Sequence, residues 1–275
     1  MRTTMAGLAR LRAGCAAAAA SVLVLAGLAG CATPPADTGA SSEVVTPSDE
    51  TADRKRARIR LELASGYFEQ GKAEIALDEV KQVISIDPTF ADAYNLRGLI
   101  FMRLGDNRQA EESFRRALAL NPRDADAHHN YGWLQCQLGR YPESFRSFEA
   151  ALGSAIYGGR SKSMMLMGLC QARAGLKPEA ERTLARAYEL DAGNPIIGYN
   201  LAQLLYQRGD FKRAQFYMRR LNNSELANAE SLWLGIKVEQ RMNDKVAMDQ
   251  LSEQLRKRFP QSRERQSLDK GSFDD

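Results

Sequence analysis

Residues 91–124 combine two short helical patterns with a glycine between them, and this unit constrains the fold more than any other part of the chain. Phe101 and Phe114 belong to one apolar seam at helical spacing. Gly105 predicts the end of the first helix, because glycine enters the left-handed cap conformation without steric cost. Pro122 predicts the end of the second helix, because proline disfavours the helical region for the residue before it. The stretch therefore predicts two helices joined by a tight turn.

The same unit recurs along the chain with an almost constant period. The glycines at the turn position follow one another in steps of 34, 34, 36 and 34 residues; they are Gly71, Gly105, Gly139, Gly175 and Gly209. Small residues stand where the second helix of each unit opens: Ala76, Ala110, Ser144, Ala180, Ala214 and Ala247. Gly98 is the small residue of the first helix of residues 91–124, so we expect the two helices to approach closely there. A sixth unit lacks the turn glycine, and Asn243 stands nearby.

Small and large residues at these offsets, 34 residues per unit, resemble the tetratricopeptide repeat. The resemblance covers residues 54–260 and implies an all-α solenoid of six helix-turn-helix repeats wound as a right-handed superhelix. Contacts between neighbouring repeats, rather than one central core, stabilise such an array. Where the step grows to 36, around Ala155–Gly159, we expect a longer loop and a change of superhelix direction.

Residues 1–30 have the pattern of a secretory signal, with three arginines before a short apolar run. That run is shorter than the roughly 20 residues that a membrane-spanning helix needs. It ends in Leu28-Ala29-Gly30-Cys31, which resembles the lipobox of bacterial lipoproteins. The resemblance implies cleavage before Cys31 and acylation of that cysteine, with ordinary signal cleavage near Ala29 as the alternative. Ala32 follows instead of aspartate, which by the rule of that class implies transfer to the outer membrane.

The segments on either side of the repeats are polar. Residues 31–53 are rich in proline, serine, threonine and aspartate, so we expect a disordered tether that spans about 25 Å. Residues 261–275 look polar and uncapped, so we expect a disordered tail. Without the three arginines of the signal, the formal charge falls from +4 to about +1. A net charge so close to zero gives no electrostatic support for nucleic acid binding.

The residues offer little for catalysis. We find no glycine-rich phosphate loop, serine elbow or zinc-type cysteine spacing. The two histidines, His128 and His129, are adjacent, so they cannot both face one site on a helix. His128 occupies the packing position that Tyr94 fills one repeat earlier, which favours a structural role. We therefore expect no enzyme activity, cofactor, metal or small-molecule substrate.

Cys136 and Cys170 are the two cysteines that keep a thiol after processing, and the periplasm permits a disulfide between them. They stand at positions 12 and 10 of consecutive repeats. Two residues on a helix are about 200° apart, so these side chains point at each other across adjacent first helices. Closing the loop would add roughly 3 to 4 kcal/mol of stability in the chain-entropy model. The alternative is two small buried hydrophobic residues.

In tetratricopeptide arrays the first helices line the concave face, through positions 2, 5, 9, 12 and 13. We expect these positions to form a groove for a protein partner, since an exposed apolar strip usually marks a partner site. Trp133 is expected near the centre of that contact, and Leu99, Met165 and Leu169 have an alternative role in packing between repeats. The predicted groove residues are Phe68, Asn95, Leu99, Met102, Arg103, His129, Trp133, Gln137, Met165, Leu169, Arg173, Tyr199 and Tyr206.

The stretch Asn130-Tyr131-Gly132-Trp133 with Cys136, followed one repeat later by Leu169-Cys170, resembles the type IV pilus biogenesis lipoproteins PilF and PilW. The resemblance covers nearly the whole chain after Cys31. It implies an outer-membrane pilotin, lipid-anchored on the periplasmic face, that binds secretin subunits and helps them assemble into the pilus exit ring. One alternative is a lipoprotein scaffold for outer-membrane protein insertion or cell-wall enzymes, and another is an enzyme or enzyme-regulating subunit.

Overall fold

The computed structural model describes residues 50–273, in which the chain forms thirteen α-helices. The predicted signal segment, Cys31 and most of the predicted tether lie outside the described residues. The helices are α1 (Ala52–Glu69), α2 (Ala73–Ile86), α3 (Ala91–Leu104), α4 (Asn107–Leu120), α5 (Ala125–Gln137), α6 (Tyr141–Leu152), α7 (Arg160–Arg173), α8 (Lys177–Leu190), α9 (Pro195–Arg208), α10 (Phe211–Asn222), α11 (Ala229–Arg241), α12 (Lys245–Arg258) and α13 (Arg263–Lys270). No helix in this part of the chain is both long enough and apolar enough to cross a membrane.

The first twelve helices pack as six consecutive pairs, from α1 with α2 to α11 with α12. Each pair also packs on the next one along the chain. This arrangement confirms the predicted all-α solenoid of six tetratricopeptide repeats. The first pair begins slightly before the expected boundary of 54, because Thr51 caps α1 by accepting a hydrogen bond from the backbone N–H of Arg54.

The turn inside each repeat has the same left-handed backbone conformation. The five turn glycines have φ between +73° and +85°, where a Cβ atom would be strained. In the sixth repeat Asn243 takes this conformation with φ +60°, because asparagine tolerates the left-handed region better than most residues. The repeat register predicted from glycine spacing is thereby confirmed, including the substitution in the last repeat.

Small residues set the separation of the two helices within a repeat. A Cβ added to Gly98 would lie 2.5 Å from Cε1 of Phe114, whose ring is fully buried between α3 and α4. A Cβ added to Gly168 would likewise lie 2.7 Å from Cγ of Leu184. The large second-helix side chain therefore fills the space that the first-helix glycine leaves.

The connection between α6 and α7, residues 153–159, is longer than the other connections between repeats, as the step of 36 predicts. The guanidinium of Arg160 donates hydrogen bonds to the carbonyl oxygens of Leu152 and Ser154, at 2.7 and 3.1 Å. These bonds hold the first half of the connection. The hydroxyl of Tyr157 lies 3.1 Å from Oγ of Ser163 in α7. These contacts fix the loop against the start of the fourth repeat.

The expectation of a disordered tail over 261–275 is wrong for the residues described there, up to 273. Ser262 caps α13 by accepting a hydrogen bond from the backbone N–H of Arg265, and Gly271 ends the helix in the left-handed conformation. After the helix, the ring of Phe273 stacks on Trp233 of α11, with 5.3 Å between ring centroids. A polar helix with two good caps and one aromatic anchor thus closes the last repeat.

Candidate partner-binding groove

The inner surface of the array is formed by the first helices of the repeats. Among them α1 packs on α3, α3 on α5, α5 on α7 and α9 on α11. In the described part of the chain, consecutive second helices do not pack on each other to that degree. The array therefore curves with its first helices inside, and we use the word groove for the surface of α1, α3, α5, α7, α9 and α11.

Eleven of the thirteen predicted groove residues have accessible side chains. Arg103, Gln137 and Arg173 are exposed. The others are half-buried: Phe68, Asn95, Leu99, Met102, Trp133, Leu169, Tyr199 and Tyr206. The accessible surface is mainly aromatic and aliphatic, with arginines at intervals.

Two predicted groove residues are buried, so their assignment to the contact surface is wrong. The side chain of His129 is turned toward the next repeat, where Nδ1 lies 2.6 Å from Oγ of Ser163. Met165 packs in the apolar cluster that includes Ile197 and Leu201 of α9. Both residues fill the junction with the following repeat, which is the packing role considered above for Met165.

Arginines of the groove lie over aromatic rings of the preceding repeat. The guanidinium carbon of Arg103 is 4.2 Å from the centroid of Phe68, and its Nη1 donates to the Phe68 carbonyl oxygen at 3.0 Å. The guanidinium of Arg173 lies 5.3 Å from the ring of Trp133. Each pair joins two adjacent first helices, since a cation is attracted to the negative face of an aromatic ring. The groove therefore presents apolar rings and fixed positive charges side by side.

Trp133 lies on a buried cluster that a disulfide holds together. The cluster contains Phe148 and the bonded pair Cys136–Cys170, whose Cα atoms are 5.9 Å apart. The first helices α5 and α7 carry the two cysteines, in the facing arrangement that the repeat positions predict. The disulfide therefore fixes the junction of the third and fourth repeats directly below Trp133.

Comparison with known proteins agrees with this geometry. The tetratricopeptide repeat profiles match residues 65–105 and 97–161. The type IV pilus assembly protein PilF of Pseudomonas aeruginosa is 28% identical over 251 residues, which is 91% of this chain and 97% of the relative. A solved structure of Pseudomonas aeruginosa PilF has 25% identity and a TM-score of 0.73, covering 80% of this chain and all of that one. PilW, described as a widely conserved type IV pilus biogenesis factor, has 29% identity and a TM-score of 0.69, covering 77% of this chain and 97% of that one.

The chain is a tetratricopeptide repeat protein related to PilF and PilW. Its histidines have structural roles in the repeats. His128 Nε2 lies 3.0 Å from the carbonyl oxygen of Pro122, and Tyr94 makes the same contact with Pro88 at 3.1 Å. Burial, with a smaller effect from the nearby Lys162 charge, lowers the pKa of His129 to about 4. A neutral imidazole therefore fits the packed junction between the third and fourth repeats of this tetratricopeptide protein.

The described residues hold no group of three histidine, cysteine or acidic side chains that could bind a metal ion. The accessible side chains of the groove are mainly aromatic and aliphatic, with arginines among them.

The predicted groove set stops at the fifth repeat, and it misses the residues of α11 that continue the surface. Trp233 and Lys237 of the sixth repeat line a cleft together with Tyr199 and Tyr206. The signal was present in the sequence, because Glu230, Trp233 and Lys237 follow one another at helical spacing.

Proposed function

We propose that this chain is an outer-membrane lipoprotein, a pilotin, that binds secretin subunits and promotes their outer-membrane localisation and multimerisation for type IV pilus biogenesis and twitching motility. The similarity to the type IV pilus assembly protein PilF over 91% of the chain carries the proposal. The similarity in fold to PilF and PilW supports it. The mechanism is binding without catalysis.

The lipid anchor supplies the location in this proposal. The motif Leu28-Ala29-Gly30-Cys31 supports acylation of Cys31, and Ala32 supports sorting to the outer membrane. Two or more acyl chains anchor a protein stably, whereas one chain is marginal. The protein would then face the periplasm, where secretin subunits pass.

The groove captures the client in this proposal, with Trp133 near the centre of the contact. Tryptophan and arginine are the residues that most often anchor interfaces, and Arg173 lies on the Trp133 ring. Met102 and Leu169 are half-buried on the adjacent first helices α3 and α7. Burying this surface against an apolar segment of a secretin would remove a large apolar area from water.

The change Trp133→Ala tests the contact. We expect at least about tenfold weaker binding of purified secretin subunits, as for interface anchors of this type. Complete burial of a tryptophan would make its removal cost about 3 to 5 kcal/mol of stability. Because Trp133 is half-buried, we expect a loss of about 1 to 2 kcal/mol and unchanged helix content.

Phe216→Ala is the matched control, since Phe216 is 60% exposed on the second helix α10, outside the groove. It should leave secretin binding at the wild-type level. A folded Trp133→Ala variant that binds secretin and assembles rings like wild type would contradict the groove assignment. A variant that melts early and binds normally once folded would assign Trp133 to packing.

A further inference from the structure

The C-terminal end of the groove contains a cleft of about 460 Å³ between α9, α11 and α13. Its aromatic walls are Tyr199 and Tyr206 from α9 and Trp233 from α11. Two carboxylates reach it from different helices, Glu230 at the start of α11 and Glu264 at the start of α13. This cleft is separate from Trp133, which lies on α5.

The rings of this cleft already attract one cation of the protein itself. The ammonium of Lys237 lies 5.8 Å from the centroid of Tyr206 and 5.7 Å from that of Trp233. Phe273 stacks on Trp233 as well, which leaves Trp233 only 9% exposed. Tyr199 and Tyr206 are half-buried and keep accessible ring surface.

Within residues 50–273, neither Glu230 nor Glu264 makes a side-chain ion pair or a side-chain hydrogen bond. Both lie close enough to act on Tyr199. Burial is the main cause that raises the pKa of Tyr199, and the negative charges of Glu230 and Glu264 add to it. With Lys237 counted, the lining carries one net negative charge. Aromatic faces next to unpaired carboxylates are the surroundings that a cation prefers.

We propose that this cleft binds an arginine side chain presented by a segment of a partner protein. The guanidinium would lie on the Tyr199 and Tyr206 rings and pair with the carboxylates of Glu230 and Glu264. Arginine fits better than lysine, because its planar group stacks on rings and can pair with carboxylates in a bidentate manner. The site goes beyond the proposed function, since it stands whether or not Trp133 contacts a secretin.

Two peptides test the site: acetyl-Gly-Leu-Arg-Leu-Gly-amide, and the same peptide with neutral citrulline in place of the arginine. The chain has two tryptophans, so the indole N–H resonance of Trp233 reports on the cleft, and that of Trp133 reports separately on any binding of the peptides at the middle of the groove. We expect the arginine peptide to shift the Trp233 resonance with an affinity about two- to fivefold above that of the citrulline peptide, the range for a cation on exposed rings.

Two variants of the cleft change this preference in opposite directions. Glu230→Gln with Glu264→Gln should abolish the preference for arginine. Lys237→Met removes the internal cation from the rings and should strengthen arginine binding. The charge-matched control, Glu189→Gln with Glu225→Gln, alters two exposed glutamates outside the cleft and should keep the preference.

Equal affinity for the two peptides would overturn the proposal, as would an equal loss in the cleft variant and in its control. All of the substituted glutamates and Lys237 are at least partly exposed, so the variants should fold, and circular dichroism verifies it. If the double variant unfolds, Glu264→Gln alone must still weaken the preference for arginine. Secretin binding by the Trp133 variants is a separate measurement, so either proposal can fail without the other.

Discussion

The contact between Gly98 and Phe114 predicts that adding a single methyl group inside a repeat weakens it. In Gly98→Ala the new Cβ would lie 2.5 Å from Cε1 and 2.7 Å from Cδ1 of Phe114. The Phe114 ring is fully buried, so it cannot swing into solvent to make room. The helix itself would gain, because alanine is a better helix former than glycine.

The two effects have opposite signs and different sizes. Replacing glycine by alanine inside a helix stabilises it by about 1 kcal/mol. Overpacking a well-filled core costs about 1 to 3 kcal/mol, occasionally more. Because the added atom would meet a rigid ring at less than 3 Å, we take the upper part of that range. We expect Gly98→Ala to lower the free energy of unfolding by about 1 to 2 kcal/mol.

Gly66→Ala is the matched control, since Gly66 lies in α1 and a Cβ there would meet nothing within 4 Å. It should stabilise the protein by about 0.5 to 1 kcal/mol. Urea unfolding followed by circular dichroism measures both changes. The slope of the unfolding free energy against urea concentration should be the same in all variants, which must be checked because repeat arrays can lose cooperativity.

The change Phe114→Leu provides a second test, because the smaller side chain makes room for the methyl group. In this background Gly98→Ala should cost less than in wild type. If Gly98→Ala proves as stabilising as Gly66→Ala, the close approach of α3 and α4 does not limit the repeat and the packing argument fails.

Three further predictions concern the anchor, the disulfide and pH. Cys31→Ser should release the protein from the membrane fraction or stall its processing, and intact-mass analysis showing an unmodified N-terminus elsewhere would contradict lipidation. Thiol titration of denatured, unreduced mature protein should find Cys136 and Cys170 oxidised; two free thiols would refute the disulfide in the cell. The pKa of His129 falls from 6.5 to about 4 on folding, so the unfolded chain takes up the proton more readily in that window. His129 should therefore leave the free energy of unfolding unchanged above pH 6.5 and lower it by up to about 1.4 kcal/mol per pH unit as the pH drops toward 4. Urea unfolding at several pH values measures this dependence. The same dependence on pH in His129→Gln would contradict the prediction.

The repeat architecture could be predicted from the sequence because its signals are local. The register depends on a glycine at each turn and a small residue at each close approach of two helices. Neither signal requires contacts with distant parts of the chain. Asn243 shows how far this reaches, since it takes the left-handed conformation where the glycine is missing. The long loop before Arg160 follows from the same spacing.

The side-chain environment of the groove could be predicted only in part, because it depends on neighbouring repeats. A position rule within one helix places His129 and Met165 on the inner face, but the next repeat covers both. The structure of the tail depends on a distant contact in the same way. Its composition is polar, yet Phe273 finds an aromatic partner in Trp233, which no local pattern of the tail reveals.

The loop at residues 153–159 and the disulfide together determine how the chain responds to proteolysis. Ile156 in this loop is 96% exposed, and exposed loop tips are preferred cleavage sites. The two cysteines are 34 residues apart and lie on either side of the loop. A single cut there therefore leaves both fragments in one covalent molecule, which would migrate as two pieces on a gel only after reduction. The oxidised protein can thus be nicked between its two halves and still carry its C-terminal repeats on the N-terminal fragment.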